Sequence, residues 1–451
     1  MATPPPFADE GTLHRALGFR DLVVYGLLFI APMAPVGVFG TLSAKSHGAV
    51  ALVYVMATVA MAFTAHSYAR MVRVAPQAGS VYTYARVGLG EGPGFIAGWM
   101  AMLDYLLIPA VAYLFSGIAM HALVPSVPSW LWTATAVAVT TALNLWGVRA
   151  AAAVGFVVLA VELAVLAVFV VTAVIALAQD GPRRGWLTPF TGEGDFDAGA
   201  VLSAVSVAVL SYLGFDAIAA FAEESAGGSP KVARALVTCL AVAGTLFVLQ
   251  GYLAALLAPM SPAELAARPA GQGAAFYDTV DAATGLWLHH LVAASKALGA
   301  AFAALAGQAA AGRLLFAMAR DRRLPGRLAK VDRASGVPRL AVLGAAAVTL
   351  LAAVWAAQRP DGLDRLVSVV DVGALTAFGL LHLSVMGWCA RQGAERLLSR
   401  HVVVPLLGLA VVIAVIATAA AAARLVGAVW LGTGLLVLAG QAARRRGAPA
   451  D

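Results

Sequence analysis

Cysteine and lysine are scarce in this chain of 451 residues, and each scarcity excludes a class of function. The two cysteines, Cys239 and Cys389, are too few for a disulfide framework or a thiolate metal cluster. None of the four lysines follows a glycine, so the sequence contains no Walker-type phosphate loop and we expect no ATPase in this chain. We expect neither a metal nor an organic cofactor.

Charge is also scarce, because only 12% of the residues are charged whereas 61% are hydrophobic. The apolar residues form long runs, which predict an all-α polytopic membrane protein. At about 20 residues per crossing, we predict twelve transmembrane helices. Their ranges are 22–42, 50–72, 94–123, 130–148, 152–178, 199–222, 235–258, 290–317, 340–357, 366–388, 402–423 and 425–440. The opening "MATPPPFADEGTLHR" does not resemble a signal peptide, so we expect the first span to be retained.

The distribution of arginine and lysine predicts the orientation. With the N-terminus in the cytoplasm, the inner segments hold 22 of the 30 basic residues and the outer segments hold 7, while Lys296 lies within a span. The positive-inside rule therefore predicts cytoplasmic termini in a multi-pass protein of the cell membrane. This bias and the anionic inner leaflet explain the net charge of +7, so we do not expect nucleic acid as a partner.

An enzyme and a channel are both disfavoured. Of the eight histidines only His289 and His290 are adjacent, and an interfacial role at the outer edge of a span explains them more simply than a metal site. No selectivity-filter motif or repeated ring of charge indicates a channel. A secondary transporter remains, and its mark is a pair of interrupted helices in two halves of the chain.

Two predicted spans are interrupted in this way. The first contains "FIAPMAPVGVFG", in which Pro32, Pro35 and two glycines break an apolar helix. The sixth contains "YLGFD", with Gly214 and the intramembrane Asp216. Because the two spans lie five apart, the second five-span unit is inverted relative to the first, and spans 11 and 12 lie outside the repeat.

Four phrases together resemble the amino acid-polyamine-organocation permeases. They are "PQAGSVYTYAR" (76–86), "GWMAMLDYLLIP" (98–109), "YLGFDAIAAFAEE" (212–224) and "GRLLFAMARDRRLP" (312–325). The resemblance covers about residues 17–390, and "LDYLLIP" and "VVDVGALTAFGLLHLSV" (369–385) are most similar to the putrescine-importer-like and amino acid permease branch. It implies a LeuT-like five-plus-five inverted repeat with discontinuous helices 1 and 6, alternating access, and a central substrate site between those helices.

The resemblance places the substrate-binding residues at the two breaks and on span 3. They are Ala34, Pro35, Val36, Gly37, Asp104, Tyr105, Gly214, Phe215 and Asp216. The first break departs from the family's usual glycine- and serine-rich turn, because Pro35 has no N–H to donate. Such a turn offers fewer hydrogen-bond donors to a substrate carboxylate, so it favours an amine substrate that has no carboxylate.

Each intramembrane carboxylate has two possible roles. Asp104, about 15 Å into span 3, can bind a substrate ammonium or make a hydrogen bond between helices. Asp216 is expected to cap the second half of span 6, although it can also bind substrate. Asp371 and His382 of span 10 are weaker candidates, and His382 can simply bridge two helices.

Glu162 lies about 15 Å into span 5, near the bilayer midplane. Some members of the family place a lysine in this part of span 5, where its proton takes the place of a bound sodium ion. Glu162 can likewise bind and release the coupling proton, together with Lys296 of span 8, or the two residues can form a structural ion pair.

The inner end of span 6 is predicted to form a gate. Its residues are Phe221, Glu223 and Glu224, and the two glutamates can pair with Arg320, Arg322 or Arg323 when the gate is closed. The segments around "PQAGSVYTYAR" and "MARDRRLPGRLAKVD" are expected to seal the inner mouth as loop helices.

We therefore predict a secondary active transporter that imports a small amino acid or polyamine-like cationic amine, coupled to protons. An exchanger of the same substrates and a membrane sensor that binds an amine without moving it are the alternatives. The predicted organisation is a cytoplasmic tail (1–20), a transporter core (21–390, with repeats at about 21–178 and 199–388), two additional helices (391–441) and a second tail (442–451). The expected partners are the substrate, protons and the lipid bilayer.

Overall fold

The computed structural model describes residues 17–77, 79–124, 126–268, 271–332, 335–359, 362–392, 402–418 and 421–446. The sequence "MATPPPFADEGTLHR", the ends of both predicted tails and residues 393–401 of the segment predicted to contain the two additional helices lie outside these residues. The described chain is helical and contains no β-strand; a single isolated bridge joins Leu17 and Ser225. The all-α prediction is confirmed.

The described α-helices are numbered in chain order. They are α1 (Phe19–Ile30), α2 (Ala34–Lys45), α3 (Val50–Val74), α4 (Val81–Leu89), α5 (Glu91–Leu123), α6 (Ser129–Trp146), α7 (Val148–Asp180), α8 (Thr188–Thr191), α9 (Ala198–Leu210), α10 (Ala217–Ala220), α11 (Gly228–Leu257), α12 (Pro262–Ala267), α13 (Ala275–Thr284), α14 (Leu286–Arg320), α15 (Arg339–Ala357), α16 (Gly362–Arg391), α17 (Val403–Thr418) and α18 (Ala421–Arg446). Short 3₁₀ turns cover Ala222–Glu224 and Gly326–Ala329.

Eight of the described helices are long and apolar enough to cross a membrane, and the bent pair α1–α2 makes nine. These eight are α3, α5, α7, α11, α14, α15, α16 and α18. Helices α9 and α17 are shorter apolar helices, and α6 coincides with the predicted fourth span. The prediction of a multi-pass helical membrane protein is confirmed, while the number of twelve spans stays a prediction.

Helix α14 lies at the centre of the protein, where 94% of its most apolar stretch is buried. Its sequence "LGAAFAALAGQAAAG" consists mainly of small residues, which allow neighbouring helices to approach closely. At Gly307, for example, a Cβ would stand 2.5 Å from Phe29 of α1 and 2.9 Å from Pro109 of α5. Helices α1, α5, α7 and α15 pack around α14.

The outer helices expose apolar side chains instead. In α7 and in α15, only 39% of the most apolar stretch is buried, and in α18 the buried share is only 11%. Leu351 of α15 and Leu436 of α18 are more than two-thirds exposed. Surfaces of this kind are typical of helices that face lipid tails.

Candidate functional site

The first span is broken between α1 and α2, which meet at an angle of 41°. Pro32 disfavours helical geometry at the residue before it, and Ala31 adopts a positive φ of 58° at the end of α1. Pro35 lies in the first turn of α2, where a proline is tolerated because that turn's amides have no helical partner. The predicted interruption is confirmed; Pro32 ends one half-helix and Pro35 helps to start the other.

Two carbonyl groups at the break accept hydrogen bonds from side chains of other helices. Gln250 Nε2 of α11 donates to Pro32 O at 2.8 Å, and Lys296 Nζ of α14 donates to Met33 O at 3.1 Å. In hydrocarbon such groups must be satisfied within the protein. Sequence reasoning missed Gln250, although a single amide in a 30-residue apolar helix is a signal that could have indicated it.

The amide groups at the start of α2 are also engaged. The N–H of Ala34 donates to Ala31 O at 2.8 Å, and the N–H of Val36 donates to Met33 O at 3.1 Å. Pro35 has no N–H. The break therefore offers few free donors to a substrate carboxylate, in line with the sequence-based expectation.

The sixth predicted span is interrupted between α9 and α10, where residues 211–216 form a series of turns. Gly214 adopts a φ of 110°, a conformation that residues with a side chain rarely adopt. A Cβ at this position would stand 2.6 Å from Cγ of Phe29. The ring of Phe29 at the end of α1 thus lies directly against the backbone of the second break. The structure brings the two interrupted segments into contact.

Asp216 follows this second break and is fully buried. Its Oδ2 accepts hydrogen bonds from Tyr105 at 2.7 Å and Tyr68 at 3.1 Å, and its Oδ1 accepts one from the N–H of Gly214 at 3.3 Å. Its side chain makes no capping bond to α10. The expectation that Asp216 caps the second half-helix was wrong, because the carboxylate turns towards the tyrosines of α3 and α5.

Ser80, which precedes α4, also reaches this cluster. Its Oγ lies 3.0 Å from the hydroxyl of Tyr105, and its backbone has a positive φ of 48°. Such a conformation is strained for a residue with a side chain. The sequence-based prediction placed this segment at the inner mouth alone and did not include a contact with Tyr105, to which no local signal pointed.

Asp104 is an electrostatic neighbour of this cluster. The residue is 2% exposed, and its Oδ1 has no partner among the described residues. The electrostatic neighbours that act on Asp104 are two other carboxylates, Asp216 and Asp371. The hydrogen bond between helices that the sequence left open for Asp104 is not found in the described part of the chain.

Glu162 of α7 is buried against α14. Both of its carboxylate oxygens lack a hydrogen-bond partner among the described residues, and the carboxyl group lies against the bare backbone of Gly299. Lys296 lies three residues before Gly299, on the same face of α14, and its charge acts on Glu162. The ion pair considered for these two residues is not formed in this structure, because Lys296 donates to Met33 O and lies over the ring of Phe115.

A buried ion pair joins α14 to the end of the sixth predicted span. Arg313 of α14 donates to both oxygens of Glu224, at 2.6 and 3.0 Å, and each side chain is 2% exposed. The guanidinium lies 4.3 Å from the centre of the Phe221 ring, which stacks on Tyr25 of α1. The prediction that Glu224 pairs with Arg320, Arg322 or Arg323 was wrong in its partner. Arg313 comes earlier in α14 than these arginines, and its side chain reaches Glu224 instead.

Further polar contacts lie near this ion pair. Glu223 pairs with Arg320 at 2.8 Å, one of the partners considered for it, while Arg323 pairs with Glu91. The N–H of Leu17 donates to Glu224 O, so the segment before α1 is joined to the end of span 6. These contacts connect three parts of the chain below the two breaks.

Helix α4 is held to the end of α14 by polar contacts. Arg86 pairs with Asp321, and Tyr82 donates to the same carboxylate at 2.8 Å. Burial, together with the hydrogen bond to Asp321, raises the pKa of Tyr82, so it stays a neutral donor. The expectation that this segment contains a loop helix is confirmed by α4.

His382 of α16 lies in a separate buried contact. Its Nδ1 lies 2.9 Å from Ser67 Oγ and its Nε2 lies 3.4 Å from Thr64 Oγ1, both on α3. The residue therefore joins two helices, the simpler of its expected roles.

Comparison with known proteins gives matches along nearly the whole chain. The family model described as amino acid permease matches residues 22–437. The low-affinity putrescine importer PlaP of Escherichia coli is 29% identical over 96% of this chain and 95% of its own length. The branched-chain amino acid permease BcaP of Bacillus subtilis is 26% identical over 84% and 82%, and the methylthioribose transporter of the same organism is 27% identical over 83% and 81%.

Proposed function

The chain belongs to the amino acid permease family, and from this premise we propose that it is a proton-coupled importer of a small amino acid or polyamine-like cationic amine. The relatives named above are importers, permeases and transporters, so the prediction of a transporter rather than an enzyme is confirmed. We place it in the cell membrane with both termini in the cytoplasm, which the 22 inner and 7 outer basic residues support.

The proposed architecture is twelve transmembrane helices with a LeuT-like inverted repeat. Packing supports it, because α3 lies against α11 and α5 lies against α14. In the twelve-span numbering these are spans 2 and 7, and spans 3 and 8, so each pair joins corresponding members of the two halves. The two interrupted segments also lie five spans apart and touch through Phe29 and Gly214.

The substrate is proposed to bind between the two breaks. The residues assigned to it are Ala34 to Gly37 of α2, Asp104 and Tyr105 of α5, and Gly214 to Asp216. Tyr105 already contacts Asp216, and Phe215 is fully buried beside them. With Arg313, Glu224 and Phe221 closing the inner side, alternating access requires this gate to open when substrate is released inward.

Proton coupling is proposed to depend on Glu162 and Lys296. The observation that carries this proposal concerns two neighbouring positions on one face of α14. Lys296 donates to Met33 O at the break, while the Glu162 carboxyl, which lies against Gly299 one turn further along α14, has no hydrogen-bond partner among the described residues. When Lys296 turns to Glu162, the carboxylate gains a counter-charge and the break loses a bond. When Lys296 returns to Met33 O, Glu162 can hold a proton, because an unpaired charge in the membrane is costly.

Transport in proteoliposomes with an imposed pH gradient tests this mechanism. Glu162→Gln keeps the shape of a protonated carboxyl group, so accumulation driven by the gradient should be lost while exchange of substrate across the membrane persists. Glu193→Gln, an exposed glutamate outside the predicted spans, is the matched control and should behave like the unmodified chain. If Glu162→Gln still concentrates substrate with unchanged pH dependence, Glu162 is structural and the coupling mechanism is wrong.

A further inference from the structure

The turn that precedes α4 has an unusual backbone. Gly79 and Ser80 both adopt a positive φ, of 108° and 48°, and the ψ of Ser80 is −130°. Glycine adopts such angles readily, whereas a serine is strained in them. Ser80 is fully buried, so the packing around it holds it in this conformation. Strain of this kind persists only where surrounding contacts fix it.

The hydroxyl group of Ser80 does not cap the helix that it precedes. A serine at this position commonly accepts a hydrogen bond from an amide in the first turn, but the Ser80 side chain makes no such bond to α4. Its Oγ lies 3.0 Å from the hydroxyl of Tyr105, which in turn lies 2.7 Å from Asp216 Oδ2. The strained residue is therefore bonded to the proposed substrate site instead of to its own helix.

The same turn and α4 are also held to α14. A Cβ at Gly79 would stand 2.8 Å from Cβ of Ala317, so the turn lies directly against α14. Further along α4, Tyr82 and Arg86 both bind Asp321 next to the end of α14. Helix α4 thus connects the proposed substrate site with the end of α14 that faces the proposed inner mouth.

From these contacts we propose that Ser80 is a positioning residue that latches α4 to the substrate site. While α4 is held, the bond to Tyr105 offsets the strain of the Ser80 backbone. When Tyr105 moves away from Ser80, the bond is lost, the strain remains and α4 is released. One hydroxyl group then transmits a rearrangement of the substrate site to the inner mouth. The inference rests on the proposed transport function, because it assigns one step in the opening of the inner side.

Amide hydrogen exchange of the full-length protein, measured by mass spectrometry on peptides that cover α4, tests the Ser80 latch without a substrate. Exchange follows the population in which a helix is locally open. Ser80→Ala removes the hydroxyl and keeps the strain, so α4 should exchange at least about fivefold faster, which corresponds to about 1 kcal/mol. Ser80→Gly also removes the hydroxyl but relieves the strain, so α4 should exchange at least about fivefold more slowly than in Ser80→Ala.

A variant of the partner residue separates the bond from a general loss of stability. Tyr105→Phe removes the same hydrogen bond from the other side, so it should speed exchange of α4 and leave peptides of α11 unchanged. The double variant Ser80→Ala with Tyr105→Phe should be no faster than the faster single variant, because both changes remove one shared bond. Ser384→Ala is the matched control, since this fully buried serine donates to Leu380 O of its own helix.

Two results would overturn the Ser80 latch. Equal exchange of α4 in Ser80→Ala and Ser80→Gly would show that backbone strain plays no part. Multiplied effects in the double variant would show that Ser80 and Tyr105 do not act through a shared bond. Both measurements are independent of transport. Absence of uptake with every amine and amino acid tested would contradict the proposed function and leave the exchange rates of α4 as they are.

Discussion

Replacing Glu224 with glutamine should open the inner side of this transporter. The substitution leaves Arg313 buried with its charge unbalanced in the closed state, whereas the open state allows water to reach the guanidinium. Both side chains are 2% exposed, so the pair belongs to the buried class, in which removal of one partner costs about 3–5 kcal/mol. At about 1.4 kcal/mol per tenfold change in an equilibrium constant, the open state should gain roughly a hundred-fold to several thousand-fold.

The neighbouring glutamate is the matched control. Glu223 pairs with Arg320, but these side chains are 18% and 32% exposed. Exposed pairs contribute about 0–1 kcal/mol, so Glu223→Gln should change the equilibrium by less than about tenfold. Two adjacent glutamates with the same substitution therefore separate the effect of burial from the effect of charge.

A native cysteine provides the assay. Cys239 Sγ is buried 3.4 Å from Val23 O, against the backbone of Gly26 in α1, so movement of α1 should expose it. In a Cys389→Ser background it is the single thiol, and its rate of maleimide labelling follows the open population when opening is fast. Glu224→Gln should label at least about a hundred times faster.

Comparison with two other variants shows whether this reasoning is wrong. Labelling of Glu224→Gln no faster than that of Glu223→Gln would refute the assignment of the buried pair as the inner gate. Arg313→Met combined with Glu224→Gln removes both charges, and a buried pair replaced by neutral groups is often tolerated. The double variant should therefore label more slowly than Glu224→Gln alone, and a faster rate would show that packing rather than charge holds the gate.

Three further predictions concern the breaks and the orientation. Gly214→Ala places a Cβ against a phenylalanine ring at a positive φ, so uptake should fall while membrane insertion persists; Gly344→Ala, which meets open space, should leave uptake unchanged. Pro35→Ala restores an N–H at the first break and should lower uptake, and full activity in an uptake assay would show that this proline is dispensable. In a cysteine-free background, a thiol replacing Leu324 should be labelled only from inside and one replacing Gly185 only from outside; labelling of both from one side would contradict the orientation.

Several features of the site were visible in the sequence because their causes are local. Proline has no N–H wherever it lies, so the interruption of span 1 followed from Pro32 and Pro35. Glycine tolerates a positive φ, which made Gly214 a candidate for the second interruption. The buried carboxylates were also apparent, since a charge within an apolar run is costly in lipid.

The partners of those residues could not be predicted, because they depend on contacts between distant parts of the chain. Gln250 meets Pro32 across 218 residues and Tyr105 meets Asp216 across 111. The expected cap at Asp216 failed because its carboxylate accepts hydrogen bonds from hydroxyl groups on two other helices and none from the amides of α10. Which face of α14 meets Glu224 likewise depends on how that helix is rotated against its neighbours.

The membrane class and the positions of the breaks therefore follow from the chain alone, since lipid demands long apolar helices and proline interrupts them regardless of context. The choice of partners was decided only by tertiary structure. Packing of the helices turned Lys296 to Met33 O and enclosed Arg313 with Glu224. It also left both carboxylate oxygens of Glu162 and Oδ1 of Asp104 without a hydrogen-bond partner in the part of the chain that the structure describes. The energy of each of these groups depends on the few atoms within hydrogen-bonding distance, and those atoms come from segments that only the fold brings together.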